Sequence, residues 1–239
     1  MSDQPHSFFP PTTRRSALNT KLQWQRWLGW EPKEFKRHAP SLGRIEGWRY
    51  RQDLVFLYLL ARDLSPGGVV LEIGSYKGLG TTALAFGSRD GKHDLVHTVD
   101  PHTGDLQALE AAGVDVLPSE EDFKRNVIRS GVAEYIVPYT MTSDELATRW
   151  EGGPIRLLFI DGWHSYEGAS SDIRNWVPLL VPSGVVVIDD YNNYPEVERA
   201  VKDAADILPP RRVRAGRMHV ASRDPLPGTV ERYLRIPWG

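Results

Sequence analysis

A short apolar run, Val69-Val70-Leu71-Glu72-Ile73, opens directly into Gly74-Ser75-Tyr76-Lys77-Gly78-Leu79-Gly80-Thr81, and no other stretch limits the possible folds as strongly. Glycines in such a strand-to-helix turn let the backbone approach a ligand with no Cβ in the way, and the helix that follows aims its unpaired N–H groups at the same place. Turns of this kind handle nucleotides, although glycine-rich turns also serve purely structural loops. A second apolar strand, 94–99, runs into Asp100-Pro101. A carboxylate there suits a ribose diol, because its two oxygens can accept hydrogen bonds from adjacent hydroxyls. The glycine spacing, Glu72-x-Gly74-x-x-x-Gly78-x-Gly80, departs from the G-x-G-x-x-G of dinucleotide sites and disfavours a nicotinamide cofactor.

From Tyr50 onward helix and strand patterns alternate, as in a parallel sheet covered on both faces. Strands are expected at 69–73, 94–99, 135–138, 155–160 and 185–188. Leu157-Leu158-Phe159-Ile160 and Val185-Val186-Val187-Ile188 are continuously apolar, as central strands buried on both sides must be. Between them Tyr166, Ala169, Ile173, Trp176, Val177 and Leu180 recur at helical steps, with Pro178 at the helix end and Pro182-Ser183-Gly184 as the turn into the next strand. Another helix follows Pro195, with Val197, Ala200, Val201 and Ala204 inward. Two runs, 213–215 and 218–221, flank Gly216-Arg217 and form a hairpin that closes the sheet. The fold class is α/β, Rossmann-like.

The chain has 239 residues, a formal charge of -2 and no cysteine. It is long enough for one sizeable core, carries no global basic field for nucleic acid or anionic membrane, and has no thiolate nucleophile or disulfide. The most apolar window, 54–61, is too short to span a bilayer and reads as a buried helix. With no secretory signal pattern at the start, a cytoplasmic protein is expected. Residues 1–46, rich in Pro, Arg, Lys and Trp, read as an N-terminal extension, and 47–239 as the main domain. Trp24, Trp27 and Leu28 have helical spacing, suiting either a homodimer arm or an aromatic lid over an acceptor site.

Ligands in open α/β sheets bind outside the carboxyl ends of the strands. One strand ends in Asp161-Gly162-Trp163-His164 and the next in Asp189-Asp190-Tyr191-Asn192-Asn193. If these strands adjoin the Gly-rich one, Asp161, Asp189 and Asp190 converge, and carboxylates so close repel unless a cation or proton sits between them. Oxygen ligands favour Mg²⁺, which can bind an alcohol, lower its pKa and help form an alkoxide. His164 is placed to act as general base. Each acid alone could equally cap a helix or sit in a solvated loop. His97 and His219 lie in apolar alternation and are expected to be structural.

These segments, together with Val99-Asp100-Pro101-His102-Thr103-Gly104-Asp105 and Asp161-Gly162-Trp163-His164-Ser165-Tyr166-Glu167-Gly168, resemble class I S-adenosylmethionine (SAM) dependent methyltransferases. Within them the chain is most similar to the small group of bacterial sugar and natural-product O-methyltransferases. The resemblance covers about 47–221. It implies a seven-stranded sheet with a reversed last strand. It also implies Glu72, Gly74 and Ser75 near the methionine part of SAM, Asp100 on the ribose, Gly78 and Asp161 also at the cofactor, and Met141, Thr142 and Ser143 beside the adenine. Asp161, Asp189 and Asp190 would hold Mg²⁺, with His164 and Asp161 catalytic. Many relatives carry His-Asp where this chain has Asp189-Asp190, a departure that adds an anionic ligand.

Methyl transfer needs alignment of acceptor oxygen, methyl and sulfur plus removal of one proton. A sugar hydroxyl is far less acidic than a phenol, hence metal plus base, and the expected acceptor is a sugar hydroxyl of a small molecule, oligosaccharide or glycosylated metabolite. Catechol or other phenolic O-methylation, and a non-catalytic SAM-binding subunit, are the competing readings. Nucleic-acid amino methyltransferases show an Asn/Asp-Pro-Pro-aromatic loop where this chain has Asp161-Gly162-Trp163-His164.

Overall fold

The computed structural model describes residues 30–92, 95–103 and 119–236. The Trp24, Trp27 and Leu28 pattern lies outside the described residues, as do Gly104 and Asp105. In chain order the elements are α1 (Lys33–Leu42), α2 (Arg51–Asp63), β1 (Val69–Ile73), α3 (Leu79–Asp90), β2 (Val96–Val99), α4 (Glu120–Arg129), β3 (Ile136–Tyr139), α5 (Ser143–Ala147), β4 (Ile155–Ile160), α6 (Tyr166–Trp176), β5 (Leu180–Ile188), α7 (Pro195–Asp203), β6 (Arg211–Ala215), β7 (Met218–Ser222) and α8 (Gly228–Leu234).

The strands form one seven-stranded sheet in the order β3-β2-β1-β4-β5-β7-β6. The first five are parallel, and β7 runs antiparallel to both β5 and β6. The expected α/β class and the closing hairpin are therefore present. The strand order reverses at β1 and β4, which puts the crevice at their carboxyl ends.

Period-two alternation splits the central strands between two cores. Val70, Leu157, Phe159, Val185 and Val187 face one side, with Phe35, Ala39 and Leu42 of α1, the fully buried 54–61 run of α2, and Val230 and Tyr233 of α8. Leu71, Ile73, Leu158, Ile160, Val186 and Ile188 face the other, against Ala169, Ile173 and Trp176 of α6 and Val197, Ala200 and Val201 of α7. At about 25 cal/mol per Å² of apolar surface, each such fully buried Leu, Ile or Phe contributes roughly 1.5–3 kcal/mol before entropy is subtracted. Among the described residues no helix is long and apolar enough to cross a membrane.

One expectation needs correction. The Pro182-Ser183-Gly184 turn is part of β5, which begins at Leu180. Ile155 pairs with Leu180 and Leu157 with Val185, so the strand accommodates the extra residues as an irregularity in its register. Pro182 and Ser183 are pushed to the surface there, where a proline without an N–H costs no ladder bond.

The ladder continues one residue past four strands. Gly74 N donates to Val99 O at 2.9 Å, Asp100 N to Tyr139 O at 3.1 Å, Asp161 N to Ile73 O at 2.8 Å and Asp189 N to Ile160 O at 2.9 Å. The residues expected to carry chemistry thus start from backbone held by the sheet.

Candidate active site

Gly74 (φ 85°) and Gly78 (φ 85°) both lie in the left-handed region, with Tyr76 (φ 46°) between them. At Gly74 the glycine is obligatory, because a Cβ would collide with the Asp161 carbonyl of the neighbouring strand. Asp100 latches the turn: its Oδ2 accepts from Ser75 N at 2.9 Å and Tyr76 N at 2.7 Å, and its Oδ1 from His102 N at 2.7 Å. Three lone-pair positions are thereby used, which leaves room for one more hydroxyl rather than a full diol. The Ser75 hydroxyl is buried and has no hydrogen-bond partner. A buried orphan of this kind, at a turn with no Cβ at Gly74 or Gly78, fits a polar ligand group.

Glu72 sits beneath the turn rather than in it. Its carboxyl group is buried and accepts hydrogen bonds from the hydroxyls of Thr81 and, at 3.1 Å, Thr98. Burial pushes it up to about 7, with Thr81, the nearby Arg49 charge and Thr98 opposing.

Asp161, Asp189 and Asp190 do converge, because β1, β4 and β5 are neighbours. They do not converge as one metal set. Asp189 continues the Val185 and Val187 face of β5, where buried Arg49 and half-buried Arg217 meet it: Arg49 Nη1 donates to its Oδ2 at 2.7 Å and Arg217 Nη2 to the same oxygen at 3.0 Å. Arg49 also donates to Asp161 and lies 4.6 Å over the Phe159 ring. Asp190 turns away in the left-handed region (φ 55°) and faces His164, whose Nε2 is 3.0 Å from its Oδ2. The group whose ligand atoms all lie within 4.8 Å of one another is therefore Asp161, His164 and Asp190. Of the expected Asp161, Asp189 and Asp190, this group among the described residues holds Asp161 and Asp190 together with His164, and Asp189 lies outside it because successive residues at a strand end point to opposite sides.

His164 Nε2 is buried and, despite its closeness to Asp190, is not aligned for a hydrogen bond. The ring stacks on Tyr194 at 4.2 Å. The next residue, Ser165, caps α6 by accepting from Gly168 N at 3.0 Å, so the helix start fixes the histidine. Burial would lower the His164 pKa, but Asp190 and the charges of Asp161 and Asp189 raise it. Burial opposes ionisation of Asp190 as well, yet His164, Arg217 and Asn193 bring it down to about 2. Asp161 is held well above the usual carboxylate range, first by burial and then by Asp189 and Asp190, against the pull of Arg49.

The segment after β3 is engaged within the protein. Thr142 caps α5, accepting from Glu145 N at 3.2 Å and donating its own N–H to Glu145 at 2.9 Å. The Ser143 hydroxyl donates to buried Asp172, and Met141 packs on the second core. His97 bonds the Tyr139 hydroxyl at 3.0 Å, and His219 is buried against Tyr191 with its pKa lowered to about 4 by burial and by Arg212 and Arg214. Neither belongs to the Asp161, His164, Asp190 group, although His219 pairs with Ile188 directly before Asp189.

Three functional-site neighbours escaped sequence reasoning: Arg49, Arg217 and Asp53. Asp53, in the first turn of α2, is pushed up to about 6 by burial, with Arg217 opposing and Asp189 adding. Arg217 carried a signal as the cation in the hairpin turn after Gly216, and Arg49 lies just ahead of the helix at Tyr50.

Comparison with known proteins bears on the fold and the family. The chain is similar in fold to the O-methyltransferase NovP (TM-score 0.62, 18% identity, 88% of this chain and 100% of that one). It is likewise similar to CalS11, a TDP-rhamnose 3'-O-methyltransferase of calicheamicin biosynthesis (TM-score 0.60, 17% identity, 93% and 98%). A third is the Podospora anserina methyltransferase PaMTH1, whose structure holds S-adenosylhomocysteine (TM-score 0.58, 15% identity, 90% and 98%). At these identities the likeness concerns the fold. Residues 71–191, half of the chain and the part that holds the Gly-rich turn, Asp100, Asp161, His164 and Asp190, match the family described as "Methyltransferase domain", and the chain belongs to that family.

Proposed function

We propose that this protein is a SAM-dependent O-methyltransferase acting on a sugar hydroxyl of a small glycosylated metabolite or oligosaccharide, assisted by a divalent cation, Mg²⁺ first among candidates. The observation that carries the reading is the juxtaposition, at the carboxyl ends of the strands, of the Asp100-latched turn with its orphaned Ser75 hydroxyl and the Asp161, His164, Asp190 cluster, in which His164 Nε2 lies 3.0 Å from Asp190 Oδ2. NovP, CalS11 and PaMTH1 have a similar fold; the names of NovP and CalS11 support O-methylation, with TDP-rhamnose as one acceptor, and the S-adenosylhomocysteine bound to PaMTH1 supports the cofactor.

SAM would supply an activated methyl group, held by the 74–78 turn, with Asp100 on its ribose and the segment 141–143 beside its adenine. A cation held by Asp161, Asp190 and His164 would lower the pKa of an acceptor hydroxyl. The donor set fits: two carboxylate oxygens and an imidazole nitrogen, with two aspartates to balance the charge. The chain's own contribution is orientation and charge. The sheet edge fixes Asp161, and Tyr194 and the α6 cap fix the His164 ring. With SAM bound, methyl transfer from its sulfur to the acceptor oxygen would release the hydroxyl proton, which a carboxylate or imidazole of this cluster is placed to take. Whichever of Asp161, Asp190 and His164 binds the cation most loosely serves as that base.

Calorimetric titration of SAM, with NAD as control and with Mg²⁺ or chelator, tests the cofactor. Micromolar SAM binding followed by methylation of a nucleotide deoxysugar in preference to catechol supports the proposal. Preference for catechol replaces the acceptor class, and no SAM binding in either metal condition removes the reading.

A further inference from the structure

Residues 46–50 lie as a strap across the Gly-rich turn, and each of the four residues before Tyr50 touches the site. Glu46 pairs with Lys77 at 2.8 Å, and Gly47 packs so closely on Leu79 that a Cβ would lie 2.8 Å from its Cδ2. Trp48, more than half exposed, stacks on Tyr76 at 5.1 Å. Arg49 then passes inward, 5% exposed, and places its guanidinium against both Asp161 and Asp189. A planar fork of donors between two carboxylates neutralises them as a metal would, and it does so from a segment that also packs on the Gly-rich turn.

We infer that Arg49 is a positioning residue that couples the strap to the acidic site: docked, it holds Asp161 and Asp189 in place and competes with a divalent cation for Asp161. Strap closure and full metal coordination then oppose each other. Arg217 contributes a second cation at Asp189 and Asp190, but from the β6–β7 hairpin, so it is not tied to the turn. The competition is local. Asp161 is the only residue shared between the Arg49 contacts and the Asp161, His164, Asp190 group.

This inference rests on the metal part of the proposed function, and its test separates the two. Mn²⁺ binding to the full-length protein is measured by electron paramagnetic resonance for wild type, Arg49→Met, Arg49→Lys and Trp48→Ala, with SAM titrated into each by calorimetry. Arg49→Met is expected to bind Mn²⁺ at least tenfold tighter than wild type, and Arg49→Lys to stay within about threefold. A merely structural arginine gives the opposite sign, because its loss disorders the ligands. Should Arg49→Met not fold, Trp48→Ala decides: it touches Tyr76 and none of the acids, and loosening the strap must tighten Mn²⁺ binding by threefold or more. Unchanged or weaker Mn²⁺ binding in folded Arg49→Met and Trp48→Ala overturns the inference, and no Mn²⁺ binding in any protein overturns it together with the metal part of the proposed function. Loss of SAM binding in wild type would instead indict the methyltransferase reading.

Discussion

Asp100 Oδ2 accepts the backbone N–H of Tyr76 at 2.7 Å, across 24 positions of sequence, and so holds the middle of the Gly-rich turn in a left-handed conformation. The residue expected to bind ribose is therefore also the latch of the turn. Asp100→Asn offers only one carbonyl oxygen for the three N–H groups that now point at the carboxylate. SAM affinity should fall at least tenfold, accompanied by a loss of roughly 1–3 kcal/mol of stability from the unsatisfied backbone donors. Isothermal titration beside urea unfolding checks both. Weakened SAM binding at unchanged stability would mean that the latch is dispensable and only the ribose contact counts.

His164 and Asp190 share a site in which neither the histidine nor Asp161 keeps an ordinary pKa. His164→Ala should lower the methylation rate by 10²-fold or more while leaving the SAM dissociation constant within about threefold, in line with the usual contribution of a positioned acid or base. Metal affinity should fall in the same variant, because the imidazole is one of three converging ligands. A rate within threefold of wild type, less than about 0.7 kcal/mol of barrier, would reduce His164 to a support for the loop before α6.

The sheet was legible because its signals are local and redundant: Leu157 to Ile160 and Val185 to Ile188 can only be buried central strands, and both are. Asp100, Asp161 and Asp189 were legible as strand ends for the same reason. The partition of the acids was not. It depends on strand parity and on the positive φ of Asp190, which no composition or spacing announces. Arg49 and Arg217 were hidden because a lone arginine outside a motif reads as solvated surface. Only the fold shows that the chain before α2 and the hairpin after β6 bring both guanidinium groups to one aspartate. The start of β5 was missed because Pro182-Ser183-Gly184 has turn composition, and a bulge uses the same residues as a turn.

Asp189 supplies the clearest stability prediction. Its side chain is sealed from solvent and accepts from two guanidinium groups, so Asp189→Asn leaves both cations facing a neutral amide. Breaking one side of a buried ion pair typically costs about 3–5 kcal/mol. Denaturant unfolding of Asp189→Asn should show a loss of that order. A small loss would mean that Asp161, Asp53 and Asp190 carry most of the charge compensation, which Asp53→Asn in the same background would then expose.

Glu72 gives a pH-dependent test. With a folded pKa of about 7 against the ordinary 4.5, the folded state keeps a proton that the unfolded chain releases between those two values. Stability contributed by this group is full below pH 4.5, declines as pH rises through that window, and is flat above about 7. At 1.36 kcal/mol per pKa unit the decline is on the order of 3 kcal/mol. Glu72→Gln, which has no proton to release and can still accept from Thr81 and Thr98, removes this slope. Urea unfolding at pH 5, 6, 7 and 8 should therefore show the stability difference, wild type minus variant, falling steadily to pH 7 and then levelling, with the glutamine variant the more stable partner at pH 8. SAM affinity should be little changed, because the glutamine amide keeps the shape of the side chain and its acceptor toward Thr81 and Thr98. A difference that stays constant from pH 5 to 8 would mean that Arg49 keeps Glu72 ionised throughout, and the Arg49 charge would then be shared among Glu72, Asp161 and Asp189 rather than spent on the two aspartates alone.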